Sequence, residues 1–183
     1  NKEIFEMVET QIERLSHVVN ILLEMTELQL VQRNDKVSLS ELVEEVLCDL
    51  TTLGKKKKVT LYQEPGNAII TGSDALIYRA VYNLVENAIK YNKTGGQVIV
   101  AVKDDDGFAR VIISDTGSGI DQENYRNIFE PFFRVDKSRS RSMGGAGLGL
   151  ALVKEIASQH GGTARVIESS ENGTKIEMTL RKF

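Results

Sequence analysis

Residues 1–33 contain neither glycine nor proline, and their apolar side chains recur with the period of an α-helix. Ile4, Val8, Leu15, Val18, Leu22 and Met25 fall on the a and d positions of one heptad frame, with Phe5, Ile12 and Val19 beside them at e. A stripe this wide suits the interior of a helical bundle better than a narrow two-stranded seam. One helix cannot bury such a face alone, so partner helices are expected from another chain or from further sequence. The alternative is a helix folded back on its own domain. The polar residues Gln32, Arg33, Asn34, Asp35 and Lys36 then read as a hinge. A start at Asn1, inside the helical pattern and without methionine, fits a piece cut from a longer protein.

From Ser38 onward the signals mix α and β. Ser40, with Glu41, Glu44 and Glu45 behind it, opens a helix expected to end near Gly54, and the four lysines at 55–58 read as a solvated loop. Short strands are expected at 59–62 and 68–71, around the turn Glu64, Pro65, Gly66, Asn67. Ser73 or Asp74 can cap a long helix running to Tyr91. One hairpin joins 97–103 to 108–114, and a second joins 163–168 to 174–180 through Glu171, Asn172 and Gly173. Between them lie two glycine-rich stretches and a helix from Gly147 to His160. The run Val98, Ile99, Val100, Ala101, Val102 has no polar face, so the sheet should be covered by helices. The expected fold class is α+β: a two-layer α/β sandwich over 38–183, preceded by a long bundle-forming helix over 1–34.

Charge and composition exclude several classes. Lys and Arg total 23 against 26 Asp and Glu, a net charge of −3, which lacks the basic excess of a nucleic-acid binder. A single cysteine, Cys48, excludes an internal disulfide and suits a reducing compartment. No apolar run approaches the roughly 18 residues needed to span a bilayer.

Four segments carry chemistry. On the long helix, Asn83, Asn87, Lys90 and Tyr91 are spaced to share one face. An amide oxygen suits Mg²⁺ that already carries phosphate oxygens and waters, a lysine can offset phosphate charge, and a tyrosine can lie against a base. An ordinary polar helix face is the alternative. Asp115, followed by Gly117, Gly119 and Ile120, ends an apolar strand. Its carboxylate can accept from the exocyclic amine of adenine, whereas guanine presents a carbonyl there. Phe129, Phe132 and Phe133 form an expected hydrophobic anchor before a serine-, glycine- and charge-rich stretch that reads as a lid, with Arg134, Lys137, Arg139 and Arg141 facing a triphosphate. A solvated loop is the other reading. Gly144, Gly145, Gly147, Leu148 and Gly149 lead into a helix whose backbone N–H groups can hold an anion, or serve as a hinge.

In this order the segments resemble the N box, first glycine box, Phe box and second glycine box of the sensor histidine kinases. These belong to the wider ATPase superfamily of gyrase, Hsp90 and MutL. The resemblance covers 38–183, and the preceding helix resembles the second helix of the family's dimerisation and histidine phosphotransfer domain. It implies a Bergerat-type ATP-binding fold, with Asn87 as Mg²⁺ ligand and Asn83 a possible second. It places Lys90 and Arg139 by the phosphates, Tyr91 and Asp115 at the adenine, and Gly117, Gly119 and Ile120 beneath it. Gly145, Gly147, Leu148 and Gly149 would face the phosphates. Glu86 matches the water-activating base of the superfamily's ATPases, and its role in a kinase stays open.

One departure matters. The family's acceptor is a histidine followed by an acidic residue, and neither His17 nor His160 has that setting. His17 reads as a bundle or surface residue. His160, ahead of Gly161 and Gly162, suits a helix C-terminus and its dipole. The resemblance therefore implies a cytoplasmic protein-histidine kinase of a two-component system, acting from ATP and Mg²⁺ on a histidine outside this sequence. A homodimer and a response regulator are its implied partners, and no nucleic acid is. The alternative is a non-catalytic module that senses adenine nucleotides.

Overall fold

The computed structural model describes residues 31–135 and 147–182, with Val8, Gln11, Ile12, Leu15, Val19 and Leu23 of the N-terminal segment. Those six positions are helical and exposed. Val8, Ile12, Leu15, Val19 and Leu23 follow each other at helical intervals of three or four, so the described part of the apolar stripe faces solvent.

β1 (Asp35–Ser38) leads directly into α1 (Leu39–Lys57), followed by β2 (Thr60–Gln63), β3 (Ile69–Gly72) and α2 (Asp74–Lys90). β4 (Gln97–Asp105) and β5 (Phe108–Asp115) form a hairpin, and short 3-10 turns cover Gln122–Asn124 and Asn127–Phe129. α3 (Gly149–Gln159), β6 (Ala164–Ser170) and β7 (Gly173–Arg181) complete the order. The main sheet runs β2-β4-β5-β7-β6, with β2 parallel to β4 and the other pairs antiparallel. β1 and β3 form a separate antiparallel pair.

The helices cover one face of the sheet. Leu42, Val46 and Leu50 of α1, Ile77, Val81 and Leu84 of α2, and Leu152 and Ile156 of α3 are buried against Val98, Val100, Val111, Ile113, Met178 and Leu180. These are the inward residues of alternating strands, so the expected two-layer sandwich is the observed one. The opposite face is covered by its own long side chains. Ala101, Ile112, Glu177 and Arg165 are successive cross-strand neighbours there. Glu177 is only 1% exposed. Its Oε1 accepts from Nε and Nη2 of Arg165 at 2.9 and 2.8 Å, and its Oε2 from Nη1 of Arg110 at 3.2 Å. Arg110 also pairs with Asp105. β6, at the sheet edge, bulges between Val166 and Glu168.

Two expectations need correction. Part of the proposed hinge is strand: Asp35 and Lys36 open β1 and pair opposite Gly72 and Thr71. The lysine run is not a loop, because α1 continues through Gly54 to Lys57 and Lys58 closes it at φ 57°. Lys58 N–H donates to Lys55 O and Val59 N–H to Gly54 O, satisfying carbonyls that a basic last turn already favours. The strands flanking Pro65 belong to different sheets. Glu64 N–H donates to Val100 O, which holds β2 to β4, while Asn67 Oδ1 accepts from Ser40 N–H and turns the chain toward α1 and β1. The capping expectation at Ser73 holds, since its Oγ accepts from Leu76 N–H.

Leu152 is fully enclosed among the helices and sheet. Leu152→Ala should destabilise the domain by about 2–5 kcal/mol, read as a lower urea midpoint at unchanged slope.

Candidate functional site

α2 does two jobs with one periodicity. Leu84, Val85 and Ala88 enter the core, and the same pitch turns Asn83, Asn87, Lys90 and Tyr91 toward a cleft of about 1150 Å³. Asp115, Gly117, Gly119, Ile120, Gly147, Leu148 and Gly149 line the same cleft. All the anticipated site residues among those described therefore meet in one place. Arg139 and Gly145, with Lys137 and Arg141, lie outside the described residues.

Asp115 is the last residue of β5. Its Oδ1 accepts from Gly117 N–H at 2.7 Å and from Thr174 N–H at 3.2 Å. Among the described residues its Oδ2 accepts no hydrogen bond. Burial pushes the carboxyl above its ordinary 3.8, and the two backbone N–H groups work against that rise. The turn after Asp115 is fixed by the β6–β7 hairpin. Gly119 has φ 77°, and a Cβ there would stand 2.0 Å from Ser170 O. Gly173, at φ 137°, brings the hairpin so close that a Cβ would stand 1.9 Å from Asp115 O. Ser169 Oγ accepts from Ile120 N–H at 2.8 Å and lies 2.9 Å from Thr174 Oγ1, while Tyr125 Oη donates to Ser169 O.

The end of α2 is tied to the same turn. Asn92 Nδ2 donates to Gln97 O, and Thr116 Oγ1 donates to Asn92 Oδ1 and accepts from Gln97 N–H. Lys90 Nζ lies 2.9 Å from Glu86 Oε2, so the lysine's charge is partly offset by its own helix. Asn83 Nδ2 donates to Arg79 O, which leaves its Oδ1 turned to Gly149. Among the described residues no side chain caps the start of α3, and Leu148 and Gly149 line the cleft there, where helix N–H groups favour an anion.

The three phenylalanines divide their work, against the expectation of a joint anchor. Phe129 is buried, Phe133 lines the cleft, and Phe132 is exposed at φ 64°, where its N–H donates to Gly147 O at 2.9 Å. That bond joins the Phe segment to the glycine turn.

Sequence reasoning missed Ser169, Thr174, Asn92 and Thr116. Their signal was only conformational, a hairpin turn and a helix end, and nothing local places Thr174 beside a carboxylate 59 positions earlier. It also missed an aromatic ledge upstream of Asn83. Tyr78 and Tyr82 line the cleft with ring centroids 6.1 Å apart, and Tyr78 Oη donates to Asp49 Oδ2 at 2.5 Å. Burial, reinforced by Asp49, pushes the Tyr78 phenol well above its ordinary range.

One cleft of an α/β sandwich thus gathers a glycine-led helix start, a strand-end aspartate and an amide-bearing helix face. The profile of the histidine kinase-, DNA gyrase B-, and HSP90-like ATPases matches residues 72–182. The chain belongs to this ATPase family and carries the ATP-binding catalytic region of its histidine kinase branch. It is 31% identical over 174 residues to the sensor-like histidine kinase SenX3 of Mycolicibacterium smegmatis, covering 93% of this chain and 45% of that relative. The solved mycobacterial sensor histidine kinase MprB matches with a TM-score of 0.69 at 29% identity, over 81% of this chain and 97% of that one. The histidine kinase ThkA, solved in complex with the response regulator protein TrrA, shares the fold with a TM-score of 0.72 at 24% identity, over 93% of this chain and 49% of that one.

Ser169→Ala removes the acceptor of Ile120 N–H and a tie to Thr174. Amide exchange at Ile120 should accelerate by about two- to tenfold, the worth of one hydrogen bond, in native-state exchange read by NMR.

Proposed function

We propose that this chain is the ATP-dependent part of a protein-histidine kinase, transferring the γ-phosphoryl group of ATP to a histidine outside residues 1–183. The single observation that carries this reading is the convergence of Asp115, the Asn83–Asn87 face and the start of α3 on one cleft. In the reaction an imidazole nitrogen of the acceptor attacks the γ-phosphorus, the bond to the β–γ bridging oxygen breaks, and ADP leaves. The protein's part is positioning and charge neutralisation.

Asp115 accepts from the adenine amine through Oδ2, with Ile120, Tyr91 and the glycines 117 and 119 around the base. Lys90 and Arg139 face the phosphates, and residues 145–149 offer backbone N–H groups to them. The donor set suits Mg²⁺: Asn87 supplies a neutral amide oxygen, and Asn83, one turn earlier on the same face, can supply a second. Such an ion keeps waters and phosphate oxygens as its remaining ligands and offsets phosphate charge when bound.

Residues 1–34 act as the second helix of a dimeric bundle, and residues 38–183 as the catalytic domain. The exposed stripe from Val8 to Leu23 supports this division, because an apolar face of that length needs partner helices. The whole protein is a homodimer with a cytoplasmic catalytic part, and a response regulator receives the phosphoryl group. Among the described residues no helix is long and apolar enough to cross a membrane.

ADP should bind far more tightly than GDP, and Asp115→Ala should cost about 1–3 kcal/mol of that affinity. The carboxylate form accepts from adenine, so affinity should fall as pH drops through a value above the ordinary 3.8. In the protein itself the sign is opposite: a raised carboxyl pKa contributes stability below the ordinary value and loses it as pH rises through the folded one. Calorimetry across acidic pH checks both, and equal ADP and GDP affinities would refute the assignment of Asp115.

The 183-residue chain should bind ATP yet accumulate no acid-labile phosphate on His17 or His160. Adding a matching acceptor helix should restore labelling, and Asn87→Ala should abolish it without unfolding the domain. ATP binding with no labelling of any added acceptor would instead favour a nucleotide-sensing module.

A further inference from the structure

His160 stands at the end of α3 remote from the nucleotide, roughly 16 Å along the helix from Gly149. A helix C-terminus favours a charged imidazole, but the surroundings of this one ask for the neutral ring. The imidazole is buried and both nitrogens are engaged. Nδ1 lies 2.8 Å from Ile156 O, a carbonyl that can only accept, so Nδ1 carries the hydrogen. Nε2 accepts from Ser73 N–H at 3.1 Å, and a backbone amide can only donate. These partners select one neutral tautomer. A proton on Nε2 would set one N–H against another.

The place of this ring in the fold gives the choice a consequence. Ser73 is the N-cap of α2, the helix that carries Asn83 and Asn87. Gly72 leaves room for the ring, since a Cβ there would stand 2.8 Å from Cδ2 of His160. The segment entering from the N-terminal helix meets the same spot: Arg33 Nη1 donates to Gln159 Oε1 at 2.7 Å, and Asp35 Oδ2 accepts from Asp74 N–H at 3.2 Å. We infer that His160 is a positioning residue for the nucleotide site, working only as the neutral imidazole that pins the start of α2 to the end of α3.

The charged groups around it are Arg33 of the entering segment, Asp35 of β1, Asp74 of α2, Glu155 of α3, and Arg181 of β7, whose N–H donates to His160 O. Burial lowers the imidazole below its ordinary 6.5, the Ile156 carbonyl opposes that fall, and Arg33 adds to it. Its contribution to stability is therefore complete above 6.5 and is lost as pH falls from there through the folded value.

The consequence for binding rests on the nucleotide reading; the tautomer and the pin do not. In the ¹⁵N-histidine-labelled chain, NMR should show His160 as the Nδ1–H tautomer, titrating below its ordinary value. ADP affinity, measured by calorimetry on the same samples, should fall by about two- to tenfold in step with that titration. His160→Leu should weaken ADP binding at neutral pH and remove the step. His160→Gln, whose amide oxygen can accept from Ser73 N–H without titrating, should recover part of the affinity and still lack the step. Gly72→Ala, which displaces the ring without deleting it, should behave like His160→Leu. Asp115's own acid step should persist in all three variants. A charged or Nε2–H imidazole at neutral pH overturns the inference, as does ADP binding indifferent to the His160 titration. Should ADP bind at no pH, the nucleotide reading fails, and the tautomer together with an acid-sensitive stability that Gly72→Ala removes decides the pin alone.

Discussion

Everything in the site depends on α2 having two faces that cannot move independently. Burial of Ile77, Val81, Leu84, Val85 and Ala88 against the sheet and neighbouring helices fixes the rotation of the helix about its axis. With that rotation set, Asn83, Asn87 and Lys90 have one place to point. A rotation that exposed any of the buried residues would cost on the order of 1.5–3 kcal/mol for each large side chain, more than any of the polar groups could recover. The hydrophobic core is thus the device that orients the polar chemistry, and Ser73 at one end and Asn92 at the other set where the helix begins and stops.

This coupling explains what was readable in the sequence. A face with period 3.6 is a local property, so the alignment of Asn83, Asn87, Lys90 and Tyr91 followed from spacing alone, and the unbroken apolar run at 98–102 marked a strand of a covered sheet. The end of an apolar strand marked Asp115 for the same reason. What escaped were relations between distant segments. Thr174 and Ser169 look like hairpin residues until β7 is laid antiparallel to β5 and brings them to Asp115 and Ile120. Asp35 and Lys36 look like linker until β3 supplies a partner. The lysines at 55–58 misled because charge was read as a loop signal, whereas three of them form the last turn of α1 and serve its dipole.

The two ends of the cleft are built on different principles. Around Asp115 the backbone is crowded, with glycines where chains nearly touch and hydrogen bonds running between the β5 turn and the β6–β7 hairpin. Such a region can distinguish one base edge from another because its groups have no freedom to adapt. Elsewhere the cleft is lined by the start of α3 and by long cationic side chains such as Lys90 and Arg134.

The bulge in β6 has a bearing on how the domain behaves among copies of itself. β6 is the outermost strand of an otherwise regular antiparallel run, the type of edge onto which another chain can add a strand. Shifting the register between Val166 and Glu168 interrupts its outward row of hydrogen-bonding groups, and Arg165 and Glu168 place charge on either side of the interruption. The opposite edge is blunted differently, by a strand of four residues that Pro65 cuts short soon after Gln63. Sheet-to-sheet polymerisation is thereby disfavoured at both borders.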